Sequence, residues 1–282
     1  MGNLGPEIMK RLIVTADDFG LAIPVNQAVE LAHRHGILTA ASLMVGAAAA
    51  ADAVERARCL PSLAVGLHLT VVEGRPVLPP ERIPALVGQD GQFLTDLVVA
   101  GVRFFFQPGA RRQLEAEIRA QFEAFRATGL PLDHVNAHNH IHLHPTVLGL
   151  MIKVGRDYGN PPLRLPQPPS RGPERNAARG LGLWLGLMRV RLRRAGVGCN
   201  DFMLGLGASG AMTEAKVLEL LADLPEGVTE IYFHPATDRC PELDQTMAGY
   251  RHQDELAALL SPAVRAALIR QGVVLTTFTF GA

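Results

Sequence analysis

Five histidines fall on even-numbered positions between His134 and His144, and two adjacent aspartates, Asp17 and Asp18, close a short apolar run. Imidazole and carboxylate together are the usual ligands of a catalytic divalent metal, and imidazole is also the side chain best suited to moving protons near neutral pH. Two more histidines stand alone at the ends of apolar runs, His68 in AVGLHL and His234 after EIYF. In the segment HVNAHNHIHLHP, Asn136, His138, His140, His142 and His144 share the parity of His134, whereas Val135, Ala137, Ile141 and Leu143 take the other. Read as an extended strand, the segment has imidazoles on one face and apolar groups on the other. At about 3.3 Å per residue such a strand runs roughly 20 Å from His138 to His144, too far for one ion. One or two of these histidines are expected to bind metal. The others would contact those ligands, the substrate or solvent. An isolated Asp-Asp pair serves a turn or helix cap as readily as a reaction. Beside these histidines it is expected to divide the work, one carboxylate on a metal and the other acting as base. His33 and His35 lie at a helix end, where capping explains them.

Those residues must be brought together by strands that end near one another. Residues 11–16 (RLIVTA) read as a buried strand, and Pro24 opens a helix with Val25, Ala28, Val29 and Ala32 on one face. Further strands are expected at 37–45, 64–69, 132–137, 230–233 and 273–280, with helices at 50–59, 111–128 and 213–221. The helix over 111–128 carries the apolar stripe Leu114, Ile118, Phe122 and Phe125. Strands alternating with helices predict an α/β single domain, an irregular (β/α) barrel whose strand ends share one rim. An open doubly wound sheet is the alternative, but no GxGxxG follows the first strand. Residues 1–10 read as an N-terminal extension and 11–282 as the barrel. Within it, 72–110 are rich in Pro and Gly and read as a long loop insertion with little regular structure.

The chain has 282 residues, 48% of them hydrophobic, with 27 basic and 27 acidic side chains. That balance gives no electrostatic reason to expect nucleic acid. Cys59, Cys199 and Cys240 are too scattered for a disulfide framework or a cysteine-built zinc site. The absence of a signal-like start or a long apolar span predicts a cytoplasmic protein. Segment 179–194 sets Leu181, Leu183, Trp184, Leu185, Leu187 and Met188 beside Arg189, Arg191, Arg193 and Arg194. It reads either as a barrel helix with a solvated basic end or as a peripheral contact with the inner membrane face through Trp184 and Leu187. Oligomeric state is not legible.

The motifs TADDFG (15–20), GLHLT (66–70), NAHNHIHLHP (136–145) and FHP (233–235), in that order, resemble the YdjC-like (ChbG/HpnK) carbohydrate deacetylases over about residues 11–280. RLIVTADDFGLA, ILTAASLMV, GLHLTVVEGRPVLPP, GVRFFF and DHVNAH resemble most the hopanoid-biosynthesis-associated subgroup. The resemblance implies a barrel related to polysaccharide deacetylases and one divalent metal held by Asp18, His68 and His138. It implies Asp17 as base and His234 as the acid that protonates the leaving amine. Pairing His138 with His142 in a His-x3-His pattern is the alternative, and leaves His68 without a role. Asn136, His140 and His142 remain candidates for supporting the ligands or touching substrate. Family members often carry Asp where this chain has Asn136, which weakens the expected support of His138. One carboxylate with two imidazoles favours Zn2+, with Mg2+ or another divalent ion also permitted. The implied substrate is an N-acetylglucosaminyl hopanoid lipid, cleaved to free amine and acetate. The alternatives are soluble N-acetylated oligosaccharides such as chitobiose, a different metal hydrolase, or a non-enzymatic metal-binding protein.

Overall fold

The computed structural model describes residues 9–279. Residues 1–8 of the expected N-terminal extension, and Phe280 of the last expected strand, lie outside the described residues. In chain order the structure runs β1 Lys10–Phe19, α1 Ile23–His35, β2 Ala40–Leu43, α2 Ala50–Arg58, β3 Ala64–Leu69, α3 Leu97–Phe106, α4 Pro108–Ala127, β4 Val135–Ala137 and α5 Pro145–Gly155. It continues with α6 Gly182–Arg194, β5 Phe202–Leu204, α7 Glu214–Ala222, β6 Gly227–Phe233, α8 Pro241–Met247, α9 His252–Leu260, α10 Pro262–Arg270 and β7 Val274–Thr276. Among the described residues, no helix is long and apolar enough to cross a membrane.

The seven named strands pair only in parallel, in the order β4-β3-β2-β1-β6-β5, with β7 added beside the start of β1. The extended segment 162–167 runs between the two edge strands. Val135 N donates to Pro162 O (2.8 Å) and Arg164 N to Val135 O (3.1 Å), while Met203 N donates to Gln167 O (2.8 Å). The sheet thus curls into the expected irregular (β/α) barrel. Helices cover its outer face, so β1 is buried on both sides and reads as a continuous apolar run. The predicted stripes of α1 and α4 face the core, and Leu114, Ile118, Phe122 and Phe125 are buried.

Two expectations are corrected. Residues 72–110 hold α3, and α4 begins at Pro108, not at 111. The sequence LVVAGVRFFF lacks a strong helix preference, but the Asp96 side chain caps the helix by accepting from Val98 N and Val99 N. The histidine segment is extended only through β4. From His138 to Leu143 the chain winds into a short 3-10 turn, with Asn139 and His140 at positive φ (52° and 49°). The alternation of faces therefore ends at His138, where the strand reaches the rim and loses its neighbour.

His134 is a fixed point of the interior. Its Nδ1 donates to Asp133 (2.9 Å), its Nε2 accepts from Ser42 (3.0 Å), and its ring stacks on Phe278 at 4.4 Å. A Cβ on Gly66 would lie 2.4 Å from this ring, so β3 requires glycine there. Gly66→Ala is expected to lower stability by about 1–3 kcal/mol, read from urea denaturation. Asp133 also accepts from Thr279 Oγ1 (2.7 Å). Burial would raise its pKa, but the hydrogen bonds from His134 and Thr279 hold it below the ordinary 3.8. A depressed carboxylate stabilises the fold above its unfolded pKa and loses that contribution as pH falls through the folded value. The stability gap between wild type and Asp133→Asn should therefore be full near neutral pH and shrink below about 3.8.

Candidate active site

Asp17 and Asp18 lie within the end of β1, not beyond it. Here the register with β2 slips by one residue between Ala16 and Phe19, and Asp18 takes φ 62°. This bulge, more than simple strand alternation, sends the two carboxylates to different partners. Non-glycine residues at positive φ are strained and persist where surrounding contacts hold them, often at functional sites.

Asp18 faces His68 of β3 and His138 at the end of β4. Asp18 Oδ1 lies 3.2 Å from His68 Nε2 and 3.1 Å from His138 Nδ1, and the two nitrogens are 3.4 Å apart. A cation about 2.0–2.2 Å from three tetrahedral ligands would separate them by about 3.3–3.6 Å, close to this triangle. The three residues are buried, and the second Asp18 oxygen is buried without a hydrogen-bond partner. Both features fit a divalent cation. Burial would hold His138 neutral, yet the Asp18 and Glu73 carboxylates push its pKa up to about 10. The same negative field would attract a metal ion. His142 does not join this group.

The supporting contacts differ from expectation. Strand register sets His68 opposite Asn136, so Asn136 supports His68 and not His138. His68 Nδ1 donates to Asn136 Oδ1 (2.7 Å), and Asn136 Nδ2 donates to Ser42 Oγ (2.8 Å) and Asp17 Oδ1 (3.0 Å). Ser42 in turn donates to His134. Assigned through this network, His68 carries its proton on Nδ1 and presents the Nε2 lone pair toward Asp18 and His138. The carboxylate near His138 is Glu73, 3.8 Å from Nε2 and fixed by Asn139 Nδ2 (2.7 Å).

Asp17 is buried against Arg164, whose Nη1 and Nη2 donate to its two oxygens at 2.5 and 2.9 Å. Arg164 also donates to Glu230 from Nε and Nη2, and its guanidinium lies over the Tyr232 ring. Burial would raise the Asp17 pKa, but Arg164 foremost, with His68 and His234, holds it well below the carboxylate range. Arg164, Glu230 and Glu73 were missed in the sequence. A lone Arg between Leu163 and Leu165, and a Glu inside the apolar run VTEIYF, were the available signals of a buried pair.

His234 follows β6, whose register pairs Phe233 with Ala16 and so sets His234 beside Asp17. Its backbone is clamped from α9. Its N–H donates to Glu255 (2.5 Å) and its carbonyl accepts from His252 Nδ1 (2.6 Å). The His140 ring packs against His142 and Tyr232, and Tyr232 against His234. Burial and the Arg164 charge lower the pKa of His140, and lower that of His142 to about 3. Both are neutral imidazoles at ordinary pH. His144 is remote from this chemistry: it caps α5 through Thr146 N and packs on Phe104 and Phe105. Trp184 is half-buried on the core and donates to Leu143 O (2.9 Å), whereas Leu187 is exposed. A cavity of about 390 Å³ opens on His138, lined among others by Met44, Thr70, Glu73, Arg75, Phe93 and Gln121.

The profile of the YdjC-like protein family matches residues 11–270. A carbohydrate deacetylase of Brevibacillus brevis is 31% identical over 276 residues, covering 95% of this chain and 98% of that protein. One from Geobacillus stearothermophilus is also 31% identical, over 94% and 96% of the two chains. Among solved structures, a candidate cellobiose-phosphate cleavage protein of Enterococcus faecalis superposes with a TM-score of 0.77 at 29% identity, over 96% of this chain and 98% of that one. A lactam utilization protein of Thermus thermophilus shares the fold at TM-score 0.50 and 16% identity, over 95% and 100%.

Removing the Asn136 amide should free the His68 ring. Asn136→Ala is expected to weaken Zn2+ binding about 10–100-fold, measured by competition with a chromogenic chelator.

Proposed function

Because this chain belongs to the YdjC-like protein family, we propose that it is a metal-dependent carbohydrate deacetylase that hydrolyses the N-acetyl group of an N-acetylglucosaminyl substrate. The convergence of Asp18, His68 and His138 from three strands, with Asp17 held beside them by Arg164, carries this reading. Asp18, His68 and His138 would hold the ion, for which the mixed carboxylate and imidazole set favours Zn2+ and permits Mg2+. When bound, the ion supplies Lewis acidity, making water a better acid and the acetyl carbonyl a better electrophile.

The protein groups then divide the proton work. Asp17 is kept ionised by Arg164, so at neutral pH it is free to accept a proton, though it is a weak base. As the water oxygen attacks the acetyl carbon, one proton passes to an Asp17 oxygen. The C–N bond breaks as His234 delivers a proton to nitrogen, and the products are the free amine and acetate. Since His140 and His142 are held neutral, they are poor stores of that proton; His142 is fully buried, so of the two His140 is the one placed to contact substrate.

The substrate we favour is an N-acetylglucosaminyl hopanoid lipid, on the strength of the subgroup motifs GLHLTVVEGRPVLPP and GVRFFF. Soluble chitobiose is the alternative. Acetate release from both, after metal stripping and repletion with Zn2+ or Mg2+, tests activity, ion and substrate together. Asp17→Asn should retain the metal while losing acetate release by about a hundredfold or more. Unchanged activity in that variant, or no metal dependence, would sink the mechanism.

A further inference from the structure

The charge balance of the whole chain conceals one lopsided face. Residues 97–114, 143–156 and 178–200, which include α3, α5 and α6, contain ten Lys and Arg and no Asp or Glu. The same elements leave large apolar side chains exposed. On α3, Val98, Val102, Phe105 and Phe106 follow helical spacing on the outer side, with Val98 and Phe106 exposed to 74% and 71%. On α6, Leu183 and Leu187 are exposed to 90% and 61%.

The two stripes flank one point of the barrel rim. The His144 ring at the start of α5 packs on Phe104 and Phe105 of α3, and Trp184 of α6 donates to Leu143 just before it. Leu143 ends the turn that begins at His138. Behind the apolar groups, α5 and α6 enclose an open groove of about 280 Å³ lined by Lys153, Arg156, Arg191 and Arg194. Arg191 lies directly over Gly149, where a Cβ would meet its guanidinium at 2.5 Å.

We propose that this α3–α5–α6 face docks the protein on an anionic phospholipid bilayer. Exposed Phe and Leu would enter the boundary between headgroups and acyl chains, and the basic groove would meet lipid phosphates. Charge selects this occupant over a second copy of the chain. Two such net-basic faces brought together would repel, whereas an anionic leaflet attracts them. Asp96, Glu115, Asp157 and Asp201 border these stretches. Glu115 pairs with Lys153, Asp157 with Arg119 and Asp201 with Arg189, which leaves Arg156, Arg191 and Arg194 as the groove's net positive charge. Docking would place the rim carrying His138 close to the headgroups. The inference stands apart from the identity of the sugar substrate, which acetate release decides separately.

Flotation of the full chain with vesicles of phosphatidylcholine alone, and with added phosphatidylglycerol, tests it. Wild type should float with the anionic vesicles, release in high salt, and ignore phosphatidylcholine. Phe105→Ser/Phe106→Ser and Leu183→Ser/Leu187→Ser should each cut binding about tenfold or more. Arg156→Gln/Arg194→Gln should weaken binding to anionic vesicles on the order of tenfold. Unchanged thermal unfolding and Zn2+ stoichiometry establish that these surface variants are folded. Absence of wild-type flotation, or wild-type flotation by the apolar variants, overturns the proposal. So does a dimer, seen by sedimentation without vesicle binding and abolished by the same substitutions.

Discussion

Among the buried carboxylates of the described residues, Asp17, Asp18 and Glu230 crowd together around Arg164 and the two imidazoles, and carboxylates this close need positive charge to remain ionised. That constraint organises the interior. Arg164 answers two of them with one guanidinium, donating to both oxygens of Asp17 and of Glu230. Asp18 is left to the two imidazoles and whatever cation they share with it. The interior is thus divided into two carboxylates that share the Arg164 cation and one suited to a metal. Arg164 reaches its place because segment 162–167 runs between β4 and β5, so the element that closes the sheet also supplies the counter-charge.

The polar chain from Asp133 through His134, Ser42 and Asn136 to His68 links the base of this arrangement to its reactive end. Every hydrogen bond along it runs the same way, from His68 through Asn136, Ser42 and His134 to the acceptor-only carboxylate of Asp133, and this direction sets the tautomer of His68. Asn136 is the branch point, touching His68 on one side and Asp17 on the other. An aspartate there would have added a fourth buried negative charge beside Asp17. An amide supports the histidine while donating to its neighbour. Glu73, from the insertion after β3, supplies a carboxylate to His138 from outside the barrel.

The rim also separates two kinds of surface. On the side of the insertion and α8, a cavity lined by both polar and apolar side chains leads to His138. On the side of α3 and α6, exposed apolar groups and arginines surround the start of α5. The short turn from His138 to Leu143 joins them, and its left-handed residues let the chain leave the site abruptly and enter α5.

Much was legible in the sequence because it depends on local periodicity and residue type. The α1 and α4 stripes, the strand preceding Asp17 and Asp18, and the parallel α/β class follow from apolar spacing of 3.6 or 2 residues. That aspartates and histidines at the ends of apolar runs could bind a metal was visible in their types, whereas the particular set Asp18, His68 and His138 was implied by the motif resemblance alone. Helix α3 was not, because its side chains favour a strand, and it is the burial of Ala100 and Phe104 against α4 and α5, together with the Asp96 cap, that supports a helix. The parity of the histidine segment misled beyond His138, because alternation holds only while a neighbouring strand keeps the chain extended. What the tertiary structure alone decided are the pairings that span the chain: Asp17 with Arg164, Asn136 with His68, Glu73 with His138. Each joins residues far apart in sequence, and a carboxylate, amide or guanidinium shows no periodicity that names its partner. Only the closure of the sheet, with its register and its bulge, brings them within reach.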